Sequence, residues 1–315
     1  LAPRVKAVGE SAIARIRQRN NLLRVGIAEN LPPFGYRDVN DQLTGFDIEL
    51  TGALAKAWGV QVEYVPVTAA DRIAKLLSGE VDLLAAGLPH NKTQEADLDF
   101  SQTYFLDGTS LLIARNSDIQ GINQLQNRVV GMLENSNVGD QLQALAEANH
   151  IDVKITGYPT LDDALAALER GDVAGVLGNT VLFSQVNGDK FTAINSLFTA
   201  TPYGFGLLAG DAYFNNLVNV TLQTLKTNGV YDQLYRQWFG AEATPYAIQV
   251  LPGQWPYRFA ESPTSLDLPV RSKVEQIQDR GKIVAGVLYD YQPFGFLDAN
   301  AQLNGFDVDL TRELA

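Results

Sequence analysis

Side chains that act as nucleophiles or proton carriers are scarce in this chain. It contains no cysteine, and His90 and His150 are its two histidines. No Ser-His-Asp arrangement, HExxH zinc motif or phosphate-binding GxxxxGKS/T loop occurs in the sequence. Asp162 and Asp163 are adjacent on a predicted helix, so they point in different directions and mainly decorate its surface. The sequence therefore predicts a protein that is not an enzyme and that has no cofactor and no metal site.

Several polar residues follow predicted strands instead. If Glu29 and Glu134 both face a cleft, they favour a cationic ligand such as a basic amino acid or a polyamine; otherwise they are solvated loop acids. Ser136 and Asn137 precede the helical pattern "VGDQLQALAEA", whose first N–H groups can bind a carboxylate, although both residues serve equally well as helix caps. His90 is either a pH-sensitive contact or an exposed loop residue. This pattern is typical of a binding site for a small polar molecule.

Short β-branched runs alternate with amphipathic helical patterns. Buried strands are predicted at 22–28, 62–67, 81–87, 128–133, 153–158 and 173–178. Helices are predicted from three apolar stripes, which are Leu50, Leu54 and Trp58; Leu161, Ala164, Leu165 and Leu168; and Phe214, Leu217, Val218, Leu222 and Leu225. The alternation indicates an α/β fold with mostly parallel sheets flanked by helices, in which ligands bind beyond the carboxyl ends of the strands.

The composition excludes some classes of partner. A chain of 315 residues with 46% hydrophobic content is long enough for about two domains with full cores. Its formal charge of -12 argues against nucleic acid, because phosphate binding needs clustered lysine and arginine. No run approaches the roughly 18 apolar residues of a membrane span. The absence of cysteine suits an oxidising compartment, and the start "LAPRV" is typical of a chain whose signal peptide has been removed.

The chain contains an internal duplication. Residues 22–55 align without gaps with 282–315, and 15 of the 34 aligned pairs are identical. Because 260 residues separate the copies, they indicate two similar domains in series and not a stacked array. Between them, 241–272 is rich in proline and is predicted to be a linker whose aromatic residues, Trp255, Tyr257 and Phe259, lie against a domain surface.

The second copy is short. A segment of about 40 residues cannot bury its own apolar face. Residues 273–315 are therefore predicted to be disordered, docked on the first domain, or exchanged with a neighbouring molecule. In that exchange, 283–287 would take the place of 23–27.

A resemblance to a known family is carried by the phrases "LRVGIAENLPPFGY", "LTGFDIELTGALAKAWG", "GEVDLLAAGL", "LDFSQTYF", "NRVVGML" and "TLKTNGVYDQLYRQWFG". In this order they resemble the solute-binding proteins of amino-acid ABC importers, family 3, with the type II Venus-flytrap fold. The resemblance implies an N-terminal helix within 1–19 and a two-lobed domain at 20–240. Lobe 1 would comprise 20–106 and 202–240, lobe 2 would comprise 107–201, and two hinge crossings would lie near 104–107 and 199–203. The second copy, 273–315, would open another, truncated domain of this kind.

The resemblance also implies a set of binding residues. Family members hold the ligand's α-carboxylate with an arginine and its α-ammonium with an acid, but these positions are Gln94 and Asn179 here, so both charges are missing. Lys92 supplies the positive charge if the alignment slips by two residues. The residues expected to bind are Glu29, Leu31, Tyr36, Ala86, Gly87, Pro89, Gln94, Ser136, Asn137, Asn179 and Tyr203.

The function implied by the resemblance is capture of a small polar solute by hinge closure and its delivery to an ABC permease. The alternative is a sensory or regulatory flytrap module of a membrane kinase or a cell-wall enzyme. Either role places the chain in the periplasm or outside the cell, held near the membrane by its partner or by a lipid anchor. We expect a monomer, with exchange through 273–315 as the other option.

Overall fold

The computed structural model describes residues 10–92, 95, 97–134, 138–183, 186, 188–194, 198–240, 248–253, 255–265 and 273–315. The chain divides into two compact units, residues 1–266 and residues 267–315. The helices of the first unit are α1 (Ala12–Gln18), α2 (Phe46–Trp58), α3 (Arg72–Leu77), α4 (Val138–Ala148), α5 (Leu161–Arg170), α6 (Thr180–Phe183), α7 (Ala212–Thr227) and α8 (Val230–Phe239). Its strands are β1 (Leu22–Ile27), β2 (Asn30–Leu31), β3 (Gly35–Arg37), β4 (Leu43–Thr44), β5 (Gln61–Pro66), β6 (Leu83–Ala85), β7 (Leu98–Phe100), β8 (Phe105–Asp107), β9 (Thr109–Ala114), β10 (Arg128–Leu133), β11 (Val153–Tyr158), β12 (Gly175–Asn179), β13 (Phe191–Ala193), β14 (Thr201–Tyr203) and β15 (Gly206–Leu208).

Two five-stranded sheets organise the first unit. One has the strand order β5-β1-β6-β15-β7 and the other β11-β10-β12-β9-β13. We name the first sheet with its helices lobe 1 and the second sheet with its helices lobe 2. Each lobe has its own buried apolar clusters, built around Phe46 and Leu83 in lobe 1 and around Leu111 and Val130 in lobe 2. The predicted two-lobed α/β fold is confirmed.

Each sheet has a parallel half and an antiparallel half. In lobe 1, β1 runs parallel to β5 and β6, whereas β15 is antiparallel to both β6 and β7. In lobe 2, β10 runs parallel to β11 and β12, whereas β9 is antiparallel to β12 and β13. The strands are thus less uniformly parallel than predicted. Parallel neighbours need a long crossover, and the antiparallel half is built from strands connected through loops and through the hinge.

The chain passes between the lobes through paired strands. β8 leads from lobe 1 into β9 of lobe 2, and β14 leads back into β15. β8 and β14 pair antiparallel, with Thr201 opposite Asp107 and Tyr203 opposite Phe105. A short two-stranded ribbon therefore connects the two sheets.

The predicted helical stripes face the cores. On α2, Leu50 and Leu54 are fully buried, and on α7 all five residues of the stripe are buried. On α5, Ala164 and Leu168 are buried, and Gly171 ends the helix in the left-handed conformation at a φ of 81°. These faces form where they do because apolar residues recur at the helical period.

The N-terminal helix and the proline-rich segment both pack on lobe 1. Ile13 and Ile16 of α1 are fully buried, and the Arg19 guanidinium donates to the buried Asp82 carboxylate at 2.5 Å. Within 248–265, Phe259 is buried and stacks on Trp58, with ring centroids 5.9 Å apart. Residues 1–9, 241–247, 254 and 266–272 lie outside the described residues.

The second unit repeats the start of the first. Its elements are α9 (Lys273–Arg280), β16 (Asp290–Tyr291), β17 (Gly295–Leu297), β18 (Leu303–Asn304) and α10 (Phe306–Leu314). Residues 282–287 align with β1 but form no strand, and Val284 is 68% exposed. β1 itself lies between β5 and β6 in the first unit. The described part of the second unit has no counterpart of β5 and β6, and a strand requires such neighbours.

Candidate ligand-binding cleft

An acid, an amide and a phenol meet where the two lobes join. Asp107, at the end of β8, is 7% exposed. Its Oδ2 accepts hydrogen bonds from the Tyr203 hydroxyl at 3.4 Å and from Asn179 Nδ2 at 3.5 Å. Tyr203 belongs to the hinge ribbon and Asn179 is the last residue of β12 in lobe 2, so this cluster spans the junction. The Tyr203 pKa is raised to about 12, first by burial and then by the Asp107 charge.

Asp107 is the residue that sequence reasoning missed. The sequence placed it in a hinge crossing and gave it no binding role. The signal that identifies it is the pairing register, because Thr109 lies opposite Asn179 and so brings the end of β8 next to the end of β12. A carboxylate on a neighbouring segment therefore lies next to Asn179.

The loop after β6 carries three of the predicted residues and is connected to the hinge. Gly87 has a φ of +53°, and a Cβ atom there would lie 2.5 Å from Leu31 Cδ2, so Leu31 packs directly on this turn. Pro89 forms a bridge with Tyr203, and the Gly204 N–H donates to the Leu88 carbonyl at 3.2 Å. The structure therefore brings this loop, Leu31 and Tyr203 together.

Asp47 contacts the loop after β6 from the core of lobe 1. It is the second residue of α2, its side chain is fully buried, and its Oδ2 accepts a hydrogen bond from the Gly87 N–H at 2.9 Å. Burial raises the pKa of Asp47 to about 6, against the lowering effects of the Gly87 hydrogen bond and of the Tyr104 hydroxyl.

Two predicted residues, Glu29 and Tyr36, have partners within lobe 1. The Glu29 carboxylate accepts a hydrogen bond from the Arg37 guanidinium, and this interaction is the main cause that raises the Arg37 pKa. Glu29 is therefore a charge-compensated acid. The ring of Tyr36 packs edge-on against Trp238 of α8, with centroids 6.2 Å apart, which gives it a packing role in lobe 1.

Other predicted positions have local roles or lie outside the description. Asn179 accepts a hydrogen bond from the Leu182 N–H at 3.0 Å and so caps α6. His90 stacks on Phe100 at 4.3 Å and its Nε2 lies 2.6 Å from a Glu95 oxygen. Ala86 is buried, whereas Glu134 is exposed. Gln94, Ser136 and Asn137 lie outside the described residues.

A separate groove of about 1300 Å³ lies between α7 and residues 249–260. Its lining, which includes Trp58, Asn216, Gln223 and Trp255, contains none of the predicted binding residues, so it is distinct from the cleft. Among the described residues, no cluster of three or more histidine, aspartate or glutamate side chains is arranged to hold a metal ion. None of the helices in the described part of the chain is both long and apolar enough to cross a membrane.

A comparison with known families decides the broader class. The profile of the bacterial extracellular solute-binding proteins, family 3, matches residues 23–241. The chain belongs to this family. The match covers both lobes and the hinge ribbon and ends just after α8.

Individual relatives agree with this assignment. The chain is 24% identical over 237 residues to the ABC transporter glutamine-binding protein GlnH of Bacillus subtilis (strain 168), covering 73% of this chain and 85% of that protein. An ancestral cationic amino acid solute binding protein is 30% identical with a TM-score of 0.58, covering 73% of this chain and 100% of that one. An ancestral cyclohexadienyl dehydratase is 27% identical with a TM-score of 0.63, covering 74% of this chain and 98% of that one. The relatives are thus amino-acid-binding proteins in two cases and an enzyme in the third.

Proposed function

We propose that this chain captures an amino acid, or a related compound with an ammonium group, between its two lobes and delivers it to an ABC permease. Membership of the family and the names of the amino-acid-binding relatives support this role. The connection of the lobes through the β8–β14 ribbon supports capture by hinge closure, because a short ribbon absorbs rotation while each sheet stays rigid.

The observation that carries the proposal is the Asp107 cluster. A carboxylate that is 7% exposed and lies between the lobes attracts a cation strongly, because little water screens it. Tyr203 and Asn179 approach it at 3.4 and 3.5 Å, which are long hydrogen bonds that an ammonium can replace with shorter, charge-assisted ones. Asp107 would thus take over the role that Asn179 lacks the charge to play.

The ligand carboxylate is proposed to bind at the start of α4. The helix α4 is eleven residues long, and its dipole favours an anion at the N-terminus. Ser136, Asn137 and Gln94 are the residues proposed to donate to a ligand carboxylate there. Binding without catalysis is proposed because the described cleft contains acid, amide and phenol groups suited to holding an ammonium.

A thermal-shift screen tests this function. L-Arginine, L-lysine, L-glutamine and putrescine are each added to the full chain at pH 7, and a compound at 100 times its dissociation constant stabilises by about 2.7 kcal/mol. We expect at least one amino acid to stabilise the protein. Asp107→Asn should weaken that binding by about tenfold or more, since a hydrogen bond to a charged group contributes about 1.5–3 kcal/mol.

Asp172→Asn is the matched control, because Asp172 is an exposed lobe 2 acid whose partner is Arg170. It should bind like the wild type. No stabilisation by any of the four compounds would contradict the proposal, and turnover of a prephenate-like substrate would replace it with an enzymatic role.

A further inference from the structure

The buried carboxylate of Asp47 has an unusual place for a helix N-terminal acid. Glu49, a half-buried acid in the same first turn, complements the dipole of α2 equally well and costs less desolvation. Asp47 is instead fully buried, and its Oδ2 accepts a hydrogen bond from the Gly87 N–H, 40 residues away. Gly87 lies in the loop after β6, which we call the cleft loop. Its position therefore connects the core of lobe 1 to the cleft.

The hydrogen bond to Asp47 fixes the orientation of the Ala86–Gly87 peptide. In a trans peptide the N–H and the preceding C=O point in opposite directions. Because the Gly87 N–H points at Asp47 in the core, the carbonyl of Ala86 points away from that core. Gly87 is further constrained by its φ of +53° and by Leu31, which fills the space where a Cβ would lie.

The negative charge of Asp47 also affects how strongly the Ala86 carbonyl accepts a hydrogen bond. Hydrogen bonds in series polarise one another, so a carboxylate on the N–H side of a peptide makes the C=O on the other side a stronger acceptor. A carboxylate acceptor has about twice the effect of a neutral one.

We propose that Asp47 is a positioning residue that orients and polarises the Ala86–Gly87 peptide, so that the Ala86 carbonyl accepts a hydrogen bond from the ligand's ammonium. This inference rests on the proposed function, since it concerns the same ammonium ligand. Asp107 then binds the ammonium directly, and Asp47 acts through the backbone.

The proposal makes ligand affinity depend on pH. Asp47 has a raised pKa of about 6, so its negative charge is present at pH 7 and is largely lost at pH 5. The affinity for an ammonium ligand should therefore fall as the pH falls through this range. The titratable groups that face Asp47 are Tyr104 and Tyr203, and both remain neutral there because their pKa values are raised. Asp107 faces Tyr203, and His90 lies in the same loop as Gly87.

The experiment measures dissociation constants by calorimetry at pH 7.0 and pH 5.0, with L-arginine, L-lysine and L-glutamine as probes. The wild type should bind about three- to tenfold more weakly at pH 5.0, because the Ala86 carbonyl still accepts the hydrogen bond but is less polarised once Asp47 is protonated. Asp47→Asn preserves an acceptor for the Gly87 N–H but removes the charge. It should bind at pH 7.0 as weakly as the wild type does at pH 5.0, with the same affinity at both pH values.

His90→Gln is the control for the other titratable group in the loop, and it should retain the pH dependence of the wild type. If Asp47→Asn retains that dependence, or if the wild-type affinity is equal at both pH values, the proposal is overturned while the proposed function stands. If neither putrescine nor any of the three probes binds at pH 7.0, the proposed function fails and this inference fails with it.

A second measurement needs no variant at position 47. In protein labelled with ¹⁵N-glycine, the Gly87 amide signal should shift with a midpoint near pH 6, because its acceptor changes charge. A Gly87 signal that does not move between pH 5 and pH 7 would overturn the proposal.

Discussion

At the scale of single residues, Gly45 decides how the chain enters α2. It has a φ of 136°, and a Cβ atom there would lie 2.2 Å from the carbonyl oxygen of Phe34. The turn is this tight because the Phe46 N–H donates to the Pro33 carbonyl and the Asp47 N–H donates to the Phe34 carbonyl, both at 2.8 Å. The same turn places the Asp47 carboxylate within hydrogen-bond distance of Gly87 in the cleft loop.

We predict that Gly45→Ala lowers the free energy of unfolding by about 2–4 kcal/mol, because the new Cβ collides with backbone in a region open essentially to glycine. Gly59→Ala, at the other end of α2, is the matched control. It has a φ of 71° and no atom within 4 Å of its Cβ position, so it should cost only about 1–2 kcal/mol. Urea denaturation of both variants measures the difference, and equal losses would show that the close approach is not the cause.

At the scale of elements, residues 248–265 are part of the lobe 1 structure. Phe259 lies parallel to Trp58 of α2 at an interplanar angle of 9°, with the Arg17 guanidinium 5.5 Å from its ring centroid. Arg17 also donates to the Ser262 carbonyl at 3.1 Å. The segment therefore packs against both α1 and α2, and the aromatic residues of the predicted linker explain why.

We predict that Phe259→Ala lowers the free energy of unfolding by about 3 kcal/mol, since it leaves a cavity between Trp58 and Arg17. Tyr257→Ala is the control, because Tyr257 is 40% exposed and its loss should cost less than about 1 kcal/mol. Urea denaturation followed by tryptophan fluorescence reports both values. Similar losses for the two variants would mean that the packing of Phe259 contributes little.

At the scale of the whole molecule, the two copies of the repeated segment differ in burial. Phe46 is fully buried in the first unit, whereas the equivalent Phe306 is 61% exposed, and Leu54 and Leu314 differ in the same way. We propose that 273–315 is the opening of a second solute-binding domain, because it forms the same hairpin and helix. By itself it buries too little apolar surface to be stable.

We predict that chymotrypsin cuts the second copy well before the first, since local opening of the second unit costs little free energy. The duplicated sequence supplies its own control, because both copies offer aromatic sites in the same phrase, "PFGY" at 33–36 and "PFGF" at 293–296. Mass spectrometry of timed digests identifies the first cuts. Equal protection of the two copies would contradict the prediction and require a partner surface for 273–315.

Much of the fold was predictable from local patterns. The strands at 128–133 and 153–158 have the predicted bounds, and the strand at 22–28 differs by one residue. These runs are rich in β-branched residues, which favour strands. The burial predicted for 153–158 is wrong except at Val153, because β11 lies at the edge of its sheet. The short strands β7, β8, β14 and β15 were not predicted, because three residues carry no periodicity and form strands only when a partner is in register.

The candidate site was less predictable than the fold. Loop residues such as Gly87 and Pro89 follow from the rule that ligands bind beyond strand ends. Asp107 and Asp47 do not follow from it, because their importance depends on contacts with residues 179 and 87. Those contacts exist only after the sheets have formed and the hinge ribbon has paired.

The repeated segment separates what the sequence determined from what the tertiary structure decided. In both copies Asp298 and its counterpart Asp38 accept the same two backbone hydrogen bonds, and Gly305 and Gly45 make the same turn. These bonds join residues a few positions apart, so the sequence alone is enough to form them. Burial of the helix face, pairing of the first strand and the raised pKa of Asp47 occur in the first copy, because they require β5, β6 and the cleft loop, which reach it from distant parts of the chain.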